Sequence, residues 1–570
     1  MLSVLVLTLL TILMLLFVRS PWGQRIIVDK ATTYLADRTN TTLSIGRLFV
    51  TFQGNLYLED FYVEDLQGDT LVFSDNLELG FGLMEFVKAG TIHINKFEWE
   101  GLKAKISRAE GQKDFNYQFL IDAFAGDGAE ADQDKEEVER AESNSDPIQI
   151  KLSPIRFCDF DLSYIDSEEG MEAILRFKEF KVDVPHLDLE AFKFDVRELK
   201  LQQSQISFKQ LKLIESEEEA SDNGLIPLLL SVEKLTLDQV ILDYENQVDQ
   251  QFANLSIDFF ELSLPELDLQ DQKVLLKSID LKNSKIAFAD FGSKKPSEEV
   301  NHGSENPFEW PDWDIEIGYI DLEDNQITYK TREVDATPGF FNPETMRFER
   351  LNFNVSNVLL KHKEAKLALR TFNFRESSGF ELKGLEVNLD VDDQSLIIND
   401  IVVETNNTKL QTDLQLSYQS LAGFITQPES AKLDLRLKSL KADVRDAYFF
   451  QPDLAKDEVI QNLALFPILA NGSIKGSLTS LAIPNLQAYW GSSSFVARGS
   501  VKNVLDVDQL IFDFPKLELS SDTKTITKFI EEDLIAAYQL PEKFNVSADA
   551  KGKLSDLQAS VNLVSDLGEI

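Results

Sequence analysis

The feature that most constrains this fold is an alternation of apolar and polar residues that returns along most of the chain. It is clear in residues 43–45 and 48–58, and it recurs at 92–94, 182–184, 433–437 and 517–519. A period of two places apolar side chains on one face of a β-strand. Helical patterns are few and lie near residues 24–36, 115–124 and 521–538. The sequence therefore predicts a mainly β protein, with its strands mostly antiparallel.

The alternating segments also repeat. Each unit has two apolar residues two positions apart, a polar break, and two more apolar residues seven and nine positions from the start. In most cases successive units begin roughly 40 residues apart, a spacing typical of repeat architectures. We interpret a unit as a strand, turn and strand hairpin, with the turn at Asp159, Asn283 or Asp324. The units start at Phe97, Ile155, Leu199, Leu235, Ile279, Ile320 and, less regularly, Ile401.

A sheet with one apolar face must hide that face, and the sequence predicts too little helix to cover it. Three solutions remain: a sandwich, a closed solenoid with a filled core, or a curled sheet whose apolar trough meets a ligand. A dry trough suits acyl chains, because each buried methylene contributes roughly 0.8 kcal/mol. The candidate groove residues are Phe157, Leu162, Leu201, Phe208, Leu237, Leu242, Leu281, Ile286, Leu322 and Ile327.

The charge of the chain excludes one class of partner. Its 97 acidic and 56 basic residues give a formal net charge of -41. Nucleic-acid binding needs clustered Lys and Arg, so we expect no nucleic-acid partner. A disordered acidic chain is also a poor interpretation, because 43% of the residues are hydrophobic and 40 are Phe. The acidic residues are expected to coat a folded surface.

Residues that carry catalytic or metal chemistry are scarce. The single cysteine, Cys158, excludes an internal disulfide and a multi-thiolate metal site, and we interpret it as a small buried side chain. The four histidines lie far apart in sequence: His93, His186, His302 and His362. Carboxylate pairs fall in predicted loops, and no nucleophile motif appears. We therefore predict no catalytic residues, no metal, no cofactor and no enzymatic activity.

The amino terminus has the pattern of a membrane anchor. Residues 2–18 are apolar except for Ser3 and two threonines. The length of this run nearly suffices for a helix across a bilayer core. A cleaved signal peptide is the alternative, but residues 19–22 offer no small-residue cleavage site. The basic residues Arg19, Arg25 and Lys30 follow the apolar run, which opposes the usual charge rule for an exported body. We predict an anchor over 1–20 and a short helical neck over 21–40.

Residues 41–570 are predicted to form one extended repetitive β-groove. Three stretches rich in acidic, Ser, Gly or Asn residues interrupt its strands, near 125–147, 215–223 and 292–311. Such charge runs are typical of solvated loops, and no function is assigned to them.

Four segments resemble a known family. Residues 65–71 (DLQGDTL) and 114–124 (DFNYQFLIDAF) are similar to the amino-terminal part of the Bacteroidota TamB-like proteins, the inner-membrane subunits of the translocation and assembly module within the AsmA-like superfamily. Residues 472–481 and 548–557 resemble the AsmA-type glycine-strand repeat, and they align at Gly476 and Gly552. The resemblance carries no catalytic motif.

This resemblance implies a taco-shaped β-groove that spans the periplasm and carries phospholipid between the inner and outer membranes. It also implies a single-pass inner-membrane protein with its body in the periplasm, and a TamA-like barrel as the outer-membrane partner. Family members are longer, so the chain is expected to continue beyond residue 570 and the docking residues cannot be placed on it. The alternative function is a structural or assembly factor for outer-membrane protein biogenesis, without lipid conduction.

Overall fold

A computed structural model describes residue 17 and residues 20–51, 54–81, 93–124, 151–152, 154–188, 192–213, 228–292, 308–506, 509–529, 540–553 and 555–569. Strands account for 63% of the structure and helices for 13%, which confirms the mainly β prediction. Contacts divide the chain into two units. Unit 1 contains residues 1–270 and 282–292, and unit 2 contains residues 271–281 and 293–570.

Unit 1 begins with helix α1 (Pro21–Thr39), in the stretch of the predicted neck. The Ser20 hydroxyl accepts a hydrogen bond of 3.0 Å from the Gly23 amide, and Pro21 occupies the first helical position, where its missing N–H costs nothing. The predicted anchor over residues 2–18 lies outside the described residues except for Phe17. Among the helices that the structure does describe, none is long and apolar enough to cross a membrane.

Unit 1 continues with one further helix, α2 (Gln118–Phe124), inside the helical segment predicted at 115–124. Most of its strand pairs are antiparallel, and a few neighbours run parallel. The strands are β1 (Leu43–Ser44), β2 (Arg47–Val50), β3 (Leu56–Glu64), β4 (Thr70–Phe81), β5 (His93–Glu100), β6 (Lys103–Arg108), β7 (Lys151–Leu152), β8 (Ile155–Asp166), β9 (Met171–Asp183), β10 (His186–Asp188), β11 (Lys193–Gln210), β12 (Leu229–Asn246), β13 (Gln251–Asp268) and β15 (Lys285–Asp290).

Unit 2 is a second run of strands in which each long strand pairs with the next in an antiparallel sense. Its strands are β14 (Lys273–Lys282, whose last residue belongs to unit 1), β16 (Asp314–Lys330), β17 (Thr345–Lys361), β18 (Glu364–Glu376), β19 (Glu381–Leu382), β20 (Gly384–Asp392), β21 (Ser395–Glu404), β22 (Lys409–Ser417), β23 (Lys432–Ala442), β24 (Ile468–Ser477), β25 (Ser480–Trp490), β26 (Ser493–Lys502), β27 (Ile511–Asp522), β28 (Lys543–Lys553), β29 (Asp556–Ser565) and β30 (Gly568–Glu569).

Short helices connect some of the strands of unit 2. They are the α-helices α3 (Leu421–Thr426), α4 (Glu458–Leu463) and α5 (Thr523–Ile526), and the 3₁₀ helices Pro428–Ser430, Val444–Phe449, Pro452–Lys456 and Thr527–Phe529. Of the helix predicted over 521–538, the structure describes α5 and the 3₁₀ helix Thr527–Phe529, and residues 530–539 lie outside the described residues. The three acidic stretches also fall largely outside them.

The prediction of hairpin turns inside the repeat was wrong. Asp159 lies inside β8 and Asp324 lies inside β16. In both of these sequence repeats, a single strand therefore continues through the expected turn. Both residues have a left-handed φ, of 51° and 50°. At Asp324 the register between β16 and β17 shifts, as at a β-bulge, whereas at Asp159 the register between β8 and β9 is the same on both sides and the residue is left out of the pairing. The polar break in the sequence is therefore a left-handed interruption of a strand, which we call a bulge below.

A left-handed residue recurs at the same place in six repeats. The fifth residue of each repeat has a positive φ: it lies inside a strand at Asp159, Gln203, Gln239 and Asp324, and between two strands at Gly101 (β5 and β6) and at Asn283 (β14 and β15). Only the seventh, irregular copy is a hairpin, since β21 ends at Glu404 and β22 begins at Lys409. The left-handed conformation costs an L-residue roughly 1–2 kcal/mol. Its repetition shows that the bulge is a built feature of this sheet.

A substitution at one bulge tests this account. Gln239→Val should lower the free energy of unfolding by about 1–3 kcal/mol, because a β-branched residue tolerates a positive φ poorly. Gln239→Gly is the matched control and should stay within about 1 kcal/mol of the parent. Urea unfolding followed by far-ultraviolet circular dichroism measures both. Equal stability of the two variants would show that the bulge conformation is not required.

The two glycines that align the carboxyl-terminal resemblance have equivalent conformations. Gly476 and Gly552 have φ values of 125° and 132°. A Cβ at either position would lie 2.2 Å from a backbone oxygen, that of Ser480 or of Asp556. Each glycine therefore permits a close approach to the returning strand of a hairpin, β24–β25 in one case and β28–β29 in the other. The similarity of the two sequence segments thus corresponds to one shared backbone geometry.

Candidate functional site: an apolar sheet face

The repeats of unit 1 align residue by residue. Strands β11 and β12 are parallel, and Leu201 pairs with Leu237 while Ile206 pairs with Leu242. The first two repeats align in the same way, with Trp99 beside Phe157. The antiparallel strand β9 lies between the second repeat and the third and keeps their registers equal. The sequence repeat is therefore a register of neighbouring strands.

Four rows of apolar side chains cross unit 1 as a result, two on each side of the bulges. On the side of the bulges that contains Phe97, the rows are Phe97, Ile155, Val182, Leu199, Leu235 and Leu262, and then Trp99, Phe157, Phe180, Leu201, Leu237 and Phe260. On the other side they are Ala104, Leu162, Leu175, Ile206, Leu242, Leu255 and Ile286, and then Ile106, Tyr164, Ala173, Phe208, Tyr244, Ala253 and Phe288. We call this set the apolar face.

Aromatic contacts run along the rows. The rings of Trp99 and Phe157 are stacked at 6.1 Å, and Phe180 lies 6.2 Å from Phe157. Farther along, Phe208 and Tyr244 stack at 5.9 Å with an angle of 7° between their planes. Aromatic pairs of this geometry contribute roughly 0.5–1.5 kcal/mol beyond their buried area. The apolar face is therefore an ordered surface.

The opposite face of the same strands is charged. Arg156 forms ion pairs of 3.0 Å with Glu98 and 2.9 Å with Glu179, and Lys200 lies 3.0 Å from Glu179. The hydrogen bond from Lys200 lowers the pKa of Glu179 below its ordinary value, and Arg156 acts in the same direction against the effect of burial. Such cross-strand pairs suit a surface in water and stabilise it modestly, by roughly 0.2–1 kcal/mol each.

Cys158 lies on this charged face, between Glu100 and Glu179 in the neighbouring strands. It is half-buried, and burial raises the pKa of its thiol; Arg156 acts in the opposite direction, and Glu179 adds a smaller contribution that raises the pKa. The raised pKa favours the protonated thiol at neutral pH.

The apolar face is not sealed. None of the side chains in its four rows is fully buried, and Phe208 and Phe288 are 36% and 37% exposed. The cover that is visible is local: Phe115, from the segment before α2, lies 5.8 Å from Tyr164 at one edge. Three buried residues of unit 1 directly follow a left-handed repeat residue: Ser204, Val240 and Ser284 are 4%, 3% and 0% exposed.

Unit 2 carries an apolar face of its own. Leu322 pairs with Phe353, which pairs with Phe372. Farther along, one row contains Leu389, Ile398, Leu414, Leu435 and Ile474, and a later one contains Leu486, Ala497, Leu517, Ala548 and Val561. Two positions of the later row are alanines, Ala497 and Ala548. The apolar face of unit 2 therefore continues toward the carboxyl end with smaller side chains in this row.

The structure places nine of the ten candidate groove residues in apolar rows or apolar pairs. In unit 1, Phe157, Leu201 and Leu237 share one row, Leu162, Leu242 and Ile286 share another, and Phe208 lies in the next. In unit 2, Leu322 pairs with Phe353 and Ile327 pairs with Phe348, and Leu281 is the next-to-last residue of β14.

The sequence search missed the strands that lie between the repeats. Their apolar residues have the same spacing of two, seven and nine, as in Ala173, Leu175, Phe180 and Val182 of β9 and in Met346, Phe348, Phe353 and Val355 of β17. The intervals between the four apolar residues are the same from either end of the strand. An antiparallel neighbour can therefore carry the same pattern and place its apolar residues in the same rows. The same spacing, applied at every start position of the chain, identifies these copies.

Comparison of the chain with protein-family models, with characterised proteins and with solved structures finds no match to any of them.

Proposed function

We propose that this chain is a non-enzymatic lipid-transfer scaffold that carries phospholipid between the inner and outer membranes along its apolar face. The observation that supports this proposal is the combination of four continuous apolar rows that remain accessible with an opposite face that is charged. An accessible apolar surface of this extent favours an apolar ligand, because burying apolar surface away from water contributes roughly 25 cal/mol of free energy per Å². Acyl chains have the chemistry and the length to cover such rows.

The bulges support the shape that the proposal needs. Left-handed residues at the same level of neighbouring strands favour a bend at that level, which suits a sheet that curls into a taco-like trough. In this proposal residues 2–18 anchor the chain in the inner membrane as a single pass, and the body lies in the periplasm. The outer-membrane partner is a TamA-like barrel.

Photo-crosslinking tests the proposal in the full chain in cells. A photoreactive amino acid at Leu237 or Leu242 should capture phospholipid, because both side chains belong to the apolar rows. The matched control positions are Asp238 and Asp243. Each is the next residue in the sequence, lies on the charged face and should capture no phospholipid. Mass spectrometry of the adducts identifies the lipid. Capture that is absent at all four positions, or equal at all four, would reject lipid conduction.

The second candidate function is a structural or assembly factor for outer-membrane protein biogenesis. It would be favoured if the same crosslinkers at Leu237 and Leu242 captured protein instead of lipid. The two functions therefore differ in what covers the apolar face, and one experiment separates them.

A further inference from the structure

Unit 1 has a fifth row of side chains on the same side of the sheet as the apolar face, between the two pairs of apolar rows. Each member lies two positions along its strand from a residue of the row that contains Leu162, and side chains two positions apart in a strand share one face. The pairing of neighbouring strands aligns the members as it aligns the other rows. We call this set the central row: Phe160, Phe177, Ser204, Val240 and Ile257.

The central row changes in size along the sheet. Ser204 and Val240 are only 4% and 3% exposed, so neighbouring side chains cover them. Phe160 and Phe177 are the only aromatic members, and both are half-buried. Their rings therefore reach the accessible surface, whereas the next two strands leave the central row covered.

Phe160 and Phe177 belong to a connected group of aromatic rings. They stack on each other at 4.4 Å with an angle of 2° between their planes. Phe157 meets both rings edge to face, at 5.6 and 6.4 Å, and Phe180 lies 5.7 Å from Phe177. All the rings of the group are half-buried. We call the group the aromatic cluster: Phe97, Trp99, Phe157, Phe160, Phe177 and Phe180.

Contacts within the cluster hold its rings in place. Phe157 contacts every other ring of the cluster. The Trp99 indole donates a hydrogen bond of 2.6 Å to the hydroxyl of Ser74, which is 2% exposed. Side chains packed in this way cannot move without disturbing their neighbours. The cluster is therefore a fixed step on the apolar face.

The cluster also divides the apolar face of unit 1. The row of Trp99 continues in one direction to Leu77 and Leu58 in the amino-terminal strands. In the other direction it continues to Leu201 and Leu237. The cluster occupies β5, β8 and β9, between these two parts of the row. A ligand that moves along the apolar face from β3 to β12 must therefore pass over the cluster.

We propose that the aromatic cluster is a constriction that selects lipids by the thickness of their acyl chains. An unbranched chain is thin and flexible enough to lie on the rings, whereas a chain that carries a bulky ring system would have to displace Phe160 and Phe177. Added bulk at a packed site forces the neighbouring side chains out of their preferred positions, which is unfavourable. The inference rests on the proposed lipid function, in which lipid enters from the anchored, amino-terminal end.

The test uses the full chain reconstituted in vesicles of phosphatidylethanolamine and phosphatidylglycerol. The vesicles contain either a labelled dipalmitoyl phosphatidylethanolamine or the same lipid with a pyrene at the end of one chain. A photoreactive amino acid at Leu58 lies before the cluster, and one at Leu237 lies beyond it. The dipalmitoyl lipid should be captured at both positions. The pyrene lipid should be captured at Leu58 but at least tenfold less at Leu237.

The neighbouring strands supply the substitutions that open the constriction. Phe160→Ser with Phe177→Ser introduces the central-row residue of β11 at both positions and should raise capture of the pyrene lipid at Leu237 at least fivefold. Phe160→Val with Phe177→Val introduces the central-row residue of β12 and should raise this capture by a smaller factor. The valine pair keeps the site apolar, so it decides the outcome if the serine pair loses its thermal transition.

The matched control is Phe208→Ser with Tyr244→Ser. It removes another stacked pair of rings, 5.9 Å apart, that lies outside the central row. Capture of the pyrene lipid at Leu237 should stay as low in this variant as in the parent, because the aromatic cluster is intact.

Equal capture of the pyrene lipid at Leu58 and Leu237 in the parent would overturn this inference. So would a serine or valine pair that keeps its thermal transition and captures no more pyrene lipid at Leu237 than the parent, or a control pair that admits as much as the serine pair. Failure to capture the dipalmitoyl lipid at both positions would instead reject the proposed lipid function, so the two failures are distinguishable.

Discussion

Leu237→Asp should reduce phospholipid capture by the apolar face more than tenfold while leaving the thermal transition of the protein in place. Leu237 lies in the row of Leu201 and Phe260, and it is half-buried rather than sealed. In the unliganded protein the new carboxylate can therefore reach water. Against acyl chains it would lose that water, at a cost of several kcal/mol if it stays ionised. Each 1.4 kcal/mol of that cost is a factor of ten in affinity.

The matched control is Thr236→Asp, one residue earlier on the charged face, where Lys200 is the neighbour across the parallel pair. It adds the same charge to the same strand and should leave capture unchanged. Lipid capture is read from a photoreactive residue at Leu242, and folding from differential scanning calorimetry. A Leu237→Asp variant that loses its thermal transition would indicate a packed core, and one that captures lipid normally would contradict the proposed path.

The second large effect is expected at Asp446, which joins the segment after β23 to the β21–β22 hairpin. Asp446 is 9% exposed and accepts four hydrogen bonds. They come from the Thr405 hydroxyl at 2.5 Å, from the Asn407 amide and side chain at 3.1 and 2.7 Å, and from the Thr408 amide at 2.9 Å. The same segment packs Phe449 and Phe450 against Phe380, at 5.8 and 5.0 Å. One carboxylate therefore satisfies the donors of a whole turn.

Asp446→Asn should lower the free energy of unfolding by about 3–5 kcal/mol at pH 7, because the amide replaces an acceptor by a donor and leaves buried N–H groups unpaired. Asp453→Asn is the control. Asp453 lies on the same segment, is 83% exposed and pairs only with Lys456, so its loss should cost less than about 0.5 kcal/mol. Urea unfolding of both variants at pH 7 measures the difference.

The cost of Asp446→Asn should also depend on pH. Burial acts to raise the pKa of Asp446, but the hydrogen bonds from Thr405, Asn407 and Thr408 outweigh it and the pKa lies below its ordinary value. A carboxylate with a lowered folded-state pKa stabilises the fold above its unfolded-state pKa, about 4, and loses this contribution as the pH falls through the folded-state value. The difference between parent and Asp446→Asn should therefore shrink as the pH falls below about 4. A constant difference would show that the charge of Asp446 is not what stabilises the turn.

Much of the fold could be predicted from local chemistry. The alternation of Leu199, Leu201, Ile206 and Phe208 already specified a strand with one apolar face, and the repeat spacing already specified which residues would form rows. The hairpin interpretation failed because a polar residue between two alternating runs has two solutions, a turn that reverses the chain or a bulge that only bends it. Asp159 and Asp324 suit either, since Asp tolerates a left-handed φ in both.

The sequence by itself determined the strands, the charged and apolar faces and the candidate groove residues, because each depends on the order of side chains along one strand. Only the tertiary structure decided what depends on neighbours. The parallel register that aligns Leu201 with Leu237, the ion pairs of Arg156 with Glu98 and Glu179, and the four donors around Asp446 all join residues that are distant in the chain. Such contacts form when strands pair, and pairing is chosen by the whole sheet rather than by any one segment.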